Sequence, residues 1–205
     1  MRRLTDALLT TDLTQRVRLA QAVLAMGLMA AGVVAMNYFA AAGIALVRPV
    51  LVWTVATLSG MVVFFVLIRS GFSRNLRDPS MTVPQMVFAI ACSAAAYAML
   101  GAGRGGVFPI VMVVLMFGMF VVSPRRMRWV SLYAVLLFGL TMSVMAWRRP
   151  GVYAPAVEFG HFLMVATMMP GVSILASRLG LLRQRARLQR RLVFTAPDQH
   201  QRHIR

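Results

Sequence analysis

The amino-acid sequence predicts an all-α polytopic membrane protein: six transmembrane helices, both termini cytoplasmic, and a last helix that extends into the cytoplasm. Three observations carry this prediction. Hydrophobic residues make up 60% of the 205 residues, more than the usual share in a soluble domain. These hydrophobic residues are concentrated in six apolar runs of about 17–25 residues, the length that a helix needs to cross a bilayer. Arginines collect at alternate ends of these runs.

The six runs set the bounds of the predicted spans. These are residues 17–41, 49–68, 83–100, 107–122, 129–147 and 155–177. Prolines stand near the first turn of four of them, where the missing N–H costs nothing; they are Pro49, Pro84, Pro109 and Pro155. The third span is rich in Ala, Ser and Gly, which allow helices to approach closely. We therefore expect the third helix to be the most buried.

The distribution of charge predicts the orientation. The chain has 22 arginines, no lysine and five acids, which give a net charge of +17. Eighteen arginines fall on one set of helix ends and at the termini, whereas Arg48, Arg104, Arg148 and Arg149 fall on the other set. The positive-inside bias places the first set, and both termini, in the cytoplasm. This orientation requires an even number of spans, which agrees with six.

Four segments follow from this pattern. Residues 1–16 form a cytoplasmic N-terminal segment, 17–178 a six-span domain, 179–191 a basic helix and 192–205 an irregular tail. We interpret the basic helix as a signal-transmitting or lipid-contacting element through Arg178, Arg183, Arg185, Arg187, Arg190 and Arg191. A stop-transfer flank, a patch for anionic lipid and the start of a coiled coil all fit these residues.

Glu158 and His161 are the acid and the histidine that the sequence places inside an apolar run. Ionisable groups in a span are candidates for function, and this pair suits a ligand or a proton. Two donors are too few for a metal site, so we predict no metal. The alternative is structural: a Glu–His hydrogen bond, joined by Arg148 or Arg149 across the short connection.

Two further pairs are candidates. Asn37 and Tyr38 lie in the outer third of the first span and either line the same ligand-sensing pocket or bond between helices. Pro170 and Gly171 interrupt the last span, because proline removes a backbone hydrogen bond and glycine adds freedom. We interpret them as a hinge between the outer end and the basic helix; a static kink is the alternative.

Other chemistry is not predicted. Gly101–Gly106 matches G-x-G-x-x-G, but a dinucleotide site needs this motif between a strand and a helix, so we expect a tight turn. Ser73 and His161 fall at opposite membrane faces, which excludes a Ser–His nucleophile. We predict no catalytic residue and no cofactor. The basic charge is explained by membrane topology, and no basic helix face with interleaved aromatics predicts nucleic-acid binding.

Three stretches resemble the six-span N-terminal sensor regions of bacterial membrane-bound diguanylate cyclases, the GGDEF proteins. They are RSGFSRNLRDPSMTVPQM at 69–86, FPIVMVVLMFGMFVVSPRRM at 108–127 and EFGHFLMVATMMPGVSILASRLGLLRQRARLQRR at 158–191. The resemblance implies a bacterial inner-membrane protein whose last helix continues as a coiled coil into a cyclase domain. No GG[DE]EF motif occurs. We therefore expect these residues to be the regulatory part, truncated before the catalytic domain, and not an enzyme.

The sequence thus predicts a membrane-embedded sensory or anchoring module for a cytoplasmic cyclase output domain. Its expected partners are the lipid bilayer, a second copy in a homodimer, and that output domain. A small transporter or permease component is the alternative, and it predicts paired broken helices with convergent polar groups at mid-membrane depth.

Overall fold

A computed structural model describes residues 13–75, 78 and 80–195. This part of the chain forms six α-helices, with 3₁₀ turns at Phe72–Asn75 and Gly101–Gly106. The helices are α1 (Leu13–Ala41), α2 (Val47–Arg69), α3 (Thr82–Met99), α4 (Val107–Val121), α5 (Pro124–Arg148) and α6 (Pro155–Thr195). The predicted all-α class is confirmed.

Five segments are long and apolar enough to cross a membrane. They are Leu19–Ala41, Val47–Arg69, Thr82–Met99, Gly101–Gly118 and Pro124–Arg148. Each overlaps one of the first five predicted runs, and the sixth run lies within α6. The chain is therefore a multi-pass membrane protein.

Helix α3 lies at the centre of the bundle and packs against α1, α2, α4 and α5. Half of the residues in its apolar window are buried, against a third or fewer in the other four candidate spans. Its small residues allow neighbouring helices to approach closely. The Trp53 indole N–H of α2 donates a hydrogen bond to the Cys92 carbonyl of α3 at 2.8 Å. The prediction that the third helix is the most buried is confirmed among these five spans.

The bundle has two chemically different ends. The connections α1–α2, α3–α4 and α5–α6 meet at one end, where residues from all three line a common cavity. We call this the cluster end. The opposite end, which we call the arginine-rich end, holds the start of α5 and the last turns of α6. Arg48, Arg104, Arg148 and Arg149 therefore lie in or next to the connections at the cluster end, the grouping that the charge pattern predicts.

Helix α6 is the longest element. Its 41 residues correspond to about 60 Å at 1.5 Å per residue, about twice the hydrocarbon thickness of a bilayer. The helix is described as far as Thr195, beyond the predicted limit of 191. Residues 1–12 and 196–205, which make up most of the predicted N-terminal segment and tail, lie outside the described residues.

Pro170 lies inside α6, which stays helical on both sides of it. Proline leaves the Ala166 carbonyl without its helical donor. One turn earlier, the Thr167 hydroxyl donates to the carbonyls of Leu163 and Met164 at 2.8 and 3.0 Å, a pattern that bends helices. The Ser131 hydroxyl of α5 donates to the Met169 carbonyl at 3.2 Å. The predicted hinge is thus attached to α5.

Candidate functional site

Glu158 is the residue around which the candidate site is built. It stands in the first turn of α6, where a carboxylate interacts favourably with the helix dipole. Glu158 is only 3% exposed to solvent. A carboxylate buried to this degree needs a partner, because an unpaired charge in an apolar interior is costly. The surroundings of Glu158 therefore define the site.

Arg104 supplies the opposite charge. Its Nε donates to Glu158 Oε1 at 2.8 Å, and its Nη1 donates to the Gly101 carbonyl at 2.6 Å. The side chain comes from the 3₁₀ turn between α3 and α4, which opens at Gly101 with a left-handed φ of 53°; glycine adopts that conformation readily. Arg148 and Arg149 lie exposed instead. The predicted tight turn is observed, and it also carries the buried cation.

Tyr97 connects Glu158 with His161. Its hydroxyl lies 2.6 Å from Glu158 Oε2 and 2.8 Å from His161 Nδ1. A phenol has one proton to donate. If that proton goes to the carboxylate, His161 Nδ1 must carry the hydrogen that the phenol oxygen accepts. The bonds then run in one direction, from His161 through Tyr97 to Glu158, with Arg104 donating to the other carboxylate oxygen.

Glu158 and His161 do not bond directly. The distance from His161 Nδ1 to Glu158 Oε1 is 3.9 Å, beyond hydrogen-bond range. The spacing i, i+3 brings both side chains to one helix face, and Tyr97 of α3 lies between them. The structural alternative of a direct Glu–His bond is therefore replaced by a bridge through another helix.

Tyr153 holds the 3₁₀ turn in place from the α5–α6 connection. Its hydroxyl donates to the Ala98 carbonyl at 2.8 Å and accepts from the Gly101 N–H at 3.2 Å. The Arg104 guanidinium lies over its ring, 4.8 Å from the centroid, as in a cation–π contact. We call Tyr97, Arg104, Tyr153, Glu158 and His161 the Glu158 cluster. It ties the start of α6 to α3 and to the turn before α4.

Aromatic residues of α4 and α5 pack against the Glu158 cluster. Phe108 of α4 and Phe138 of α5 lie 5.7 and 5.9 Å from the Tyr97 ring, centroid to centroid. Phe108 also contacts the His161 ring edge-on at 5.2 Å. Low polarity around the cluster strengthens its hydrogen bonds and raises the cost of breaking any one of them. The arrangement therefore suits a two-state contact, made or broken as a unit.

The remaining candidate residues lie elsewhere. The Asn37 amide donates to the Val33 carbonyl at 2.8 Å and to Thr54 Oγ1 of α2 at 2.9 Å. Tyr38 is 68% exposed. Neither belongs to the Glu158 cluster, and Asn37 forms an interhelical bond instead. Pro170 and Gly171 lie about three turns along α6 from Glu158, and Arg178 is exposed.

The other predicted arginines are part of α6. Arg183, Arg185, Arg187, Arg190 and Arg191 lie within Pro155–Thr195, and their side chains are outside the described part of the structure. Among the described residues, no group of three or more His, Cys, Asp and Glu comes together.

No family model matches the chain, and no curated protein or solved structure is detectably similar to it. The resemblance to diguanylate cyclase sensor regions therefore stays a prediction.

Proposed function

We propose that this chain is a membrane-embedded sensory or anchoring module with six spans, in which the arginine-rich end and both termini face the cytoplasm. The five apolar segments and the length of α6 support this arrangement. So does the uneven distribution of arginine between the two ends. The bacterial inner membrane is the location that the sequence resemblance suggests.

The observation that carries the proposal is the continuity of α6. One helix begins in the Glu158 cluster and continues for about 60 Å into the arginine-rich segment without leaving helical geometry. A change at the cluster end that alters the pairing of Glu158 therefore acts directly on the first turn of this helix. The hinge at Pro170, attached to α5 by Ser131, lies between the two ends.

The output of such a module would be a cytoplasmic domain attached to, or bound by, the end of α6. The resemblance of the sequence suggests a diguanylate cyclase, an enzyme that needs two copies to meet. A homodimer of this chain would bring two α6 ends together. In this proposal the described residues perform no catalysis themselves and change only the geometry of α6.

Spin labels test the coupling between the Glu158 cluster and the far end of α6. Cys92 is the only cysteine, so Cys92→Ala gives a background for labels at Arg125→Cys and Leu182→Cys, both exposed in the structure. We expect Glu158→Gln and Arg104→Ala to shift the distance distribution between the labels of one protomer, measured by double electron–electron resonance in nanodiscs. Breaking the ion pair releases the start of α6, and the helix moves relative to α5.

Asn37→Leu is the matched control, because it removes a polar contact between α1 and α2 without touching α6. It is expected to leave the distances unchanged. An unchanged distribution in both cluster variants would overturn the proposed coupling. A single label at Leu182→Cys tests the homodimer, since a dipolar signal then requires a second copy.

A further inference from the structure

A cavity of about 660 Å³ opens at the cluster end, between the α1–α2, α3–α4 and α5–α6 connections. Its volume falls in the range of small-molecule sites. Apolar side chains form much of its wall, among them Leu46, Met99, Met145 and Val152, and Arg148 and Arg149 also line it. An apolar wall combined with a few charged groups is typical of a ligand site rather than of a packing defect.

The two arginines lack a counter-charge within the described residues. Two acids are described there, Glu158 and Asp78. Glu158 is paired with Arg104, and Asp78 accepts from the Val83 N–H at the start of α3, at the opposite end. Arg148 and Arg149 are both exposed, and neither forms an ion pair with a described side chain. Their charges are available to an anion.

Tyr153 belongs both to this cavity and to the Glu158 cluster. It lines the cavity, and it is only 1% exposed. Its hydroxyl forms hydrogen bonds with the Ala98 carbonyl and the Gly101 N–H, and its ring lies beneath the Arg104 guanidinium. A molecule that fills the cavity therefore presses on the residue that positions Arg104, and through Arg104 on Glu158.

We propose that this cavity binds an amphipathic anion, with a phosphate or carboxylate group on Arg148 and Arg149 and an apolar body against Met145 and Val152. Arginine binds such groups with two parallel hydrogen bonds. The source of the anionic group is either a lipid headgroup or a free solute. That this occupant is the stimulus of the module rests on the function proposed above, whereas the binding itself does not.

Calorimetric titration of hexyl phosphate into the full chain tests the site, with the protein in phosphatidylcholine nanodiscs. We expect saturable binding of hexyl phosphate and none of hexanol, which has the same alkyl chain without the charge. The double variant Arg148→Gln/Arg149→Gln is expected to bind at least about tenfold more weakly, because it loses charge-assisted hydrogen bonds. Arg125→Gln/Arg128→Gln, a matched exposed pair at the opposite end, should bind like the wild type.

A second variant separates binding from folding. Val152→Trp narrows the apolar part of the cavity and keeps both arginines, and we expect it to weaken binding with an unchanged melting temperature. Absence of saturable binding to the wild type, equal binding of hexanol, or wild-type affinity in the Arg148→Gln/Arg149→Gln variant would each overturn the proposal.

Lipid composition identifies the source of the anion. If phosphatidylglycerol in the nanodisc lowers the apparent affinity for hexyl phosphate, the headgroup occupies the same site; an unchanged affinity assigns the site to a free solute. Binding that leaves the spin-label distances unchanged would overturn the sensory function and leave the site standing. If hexyl phosphate does not bind but the spin-label distances respond to Glu158→Gln, the binding site is wrong and the proposed coupling stands.

Discussion

Replacing Arg104 with alanine is expected to lower the free energy of unfolding by about 3–5 kcal/mol, the cost of leaving a buried partner charge uncompensated. The residue is 7% exposed and its partner Glu158 is 3% exposed, so water cannot replace the lost guanidinium. The variant also loses the hydrogen bond to the Gly101 carbonyl that closes the turn before α4. The measurement is equilibrium unfolding in mixed micelles of dodecylmaltoside and dodecyl sulfate.

The double variant Arg104→Ala/Glu158→Ala removes both charges. We expect it to be more stable than Arg104→Ala alone, because no unpaired carboxylate remains. Arg48→Ala is the control at the same end of the bundle, since Arg48 is exposed and its loss should change stability by less than about 0.5 kcal/mol. Additive effects of the two cluster substitutions would contradict a direct pairing of Arg104 with Glu158.

Replacing Tyr97 with phenylalanine is expected to lower the free energy of unfolding by about 1.5–3 kcal/mol, the cost of a lost hydrogen bond to a charged group. The substitution keeps the ring that packs on Phe108 and Phe138 and removes only the hydroxyl that joins Glu158 to His161. The same unfolding assay measures this effect. Nitrogen chemical shifts of His161 should change as well, because Nδ1 loses its partner.

Tyr38→Phe is the matched control for this substitution. Tyr38 is a tyrosine near the same end of the bundle, but it is 68% exposed, so its stability change should stay within about 0.5 kcal/mol. Equal losses in the two variants would show that a tyrosine hydroxyl near this end has a general effect on stability. The proposed bridge between Glu158 and His161 would then be wrong.

The helices could be predicted from the sequence because their signal is local. Apolar runs of span length, prolines in first turns and arginines just beyond the run ends each depend on residues that are neighbours in the chain. Predicted span 107–122 matches Val107–Val121, and 83–100 matches Thr82–Met99. The extent of α6 beyond residue 191 was harder to predict, because arginine and leucine both favour helix and give no local signal for where a helix stops.

The Glu158 cluster could be predicted only in part, because its contacts join distant residues. Glu158 and His161 are visible as ionisable groups in an apolar run, but Tyr97 and Arg104 stand 61 and 54 positions before Glu158. Tyr97 resembles any other aromatic residue of a span. The signal for Arg104 was present: a buried carboxylate needs a cation, and four arginines belong to that end. Sequence proximity favoured Arg148 and Arg149, whereas the partner in the structure is Arg104, from the turn before α4.

The measurement that tests the account most directly is the sidedness of the two ends of α6. Single cysteines at Gly151 and Leu182, both exposed, are placed in the Cys92→Ala background and treated in intact cells with a membrane-impermeant maleimide. If α6 crosses the bilayer from the Glu158 cluster to the cytoplasm, Gly151→Cys is labelled from outside and Leu182→Cys only after permeabilisation. Labelling of both positions from the same side would contradict the account, because α6 would then connect nothing across the membrane.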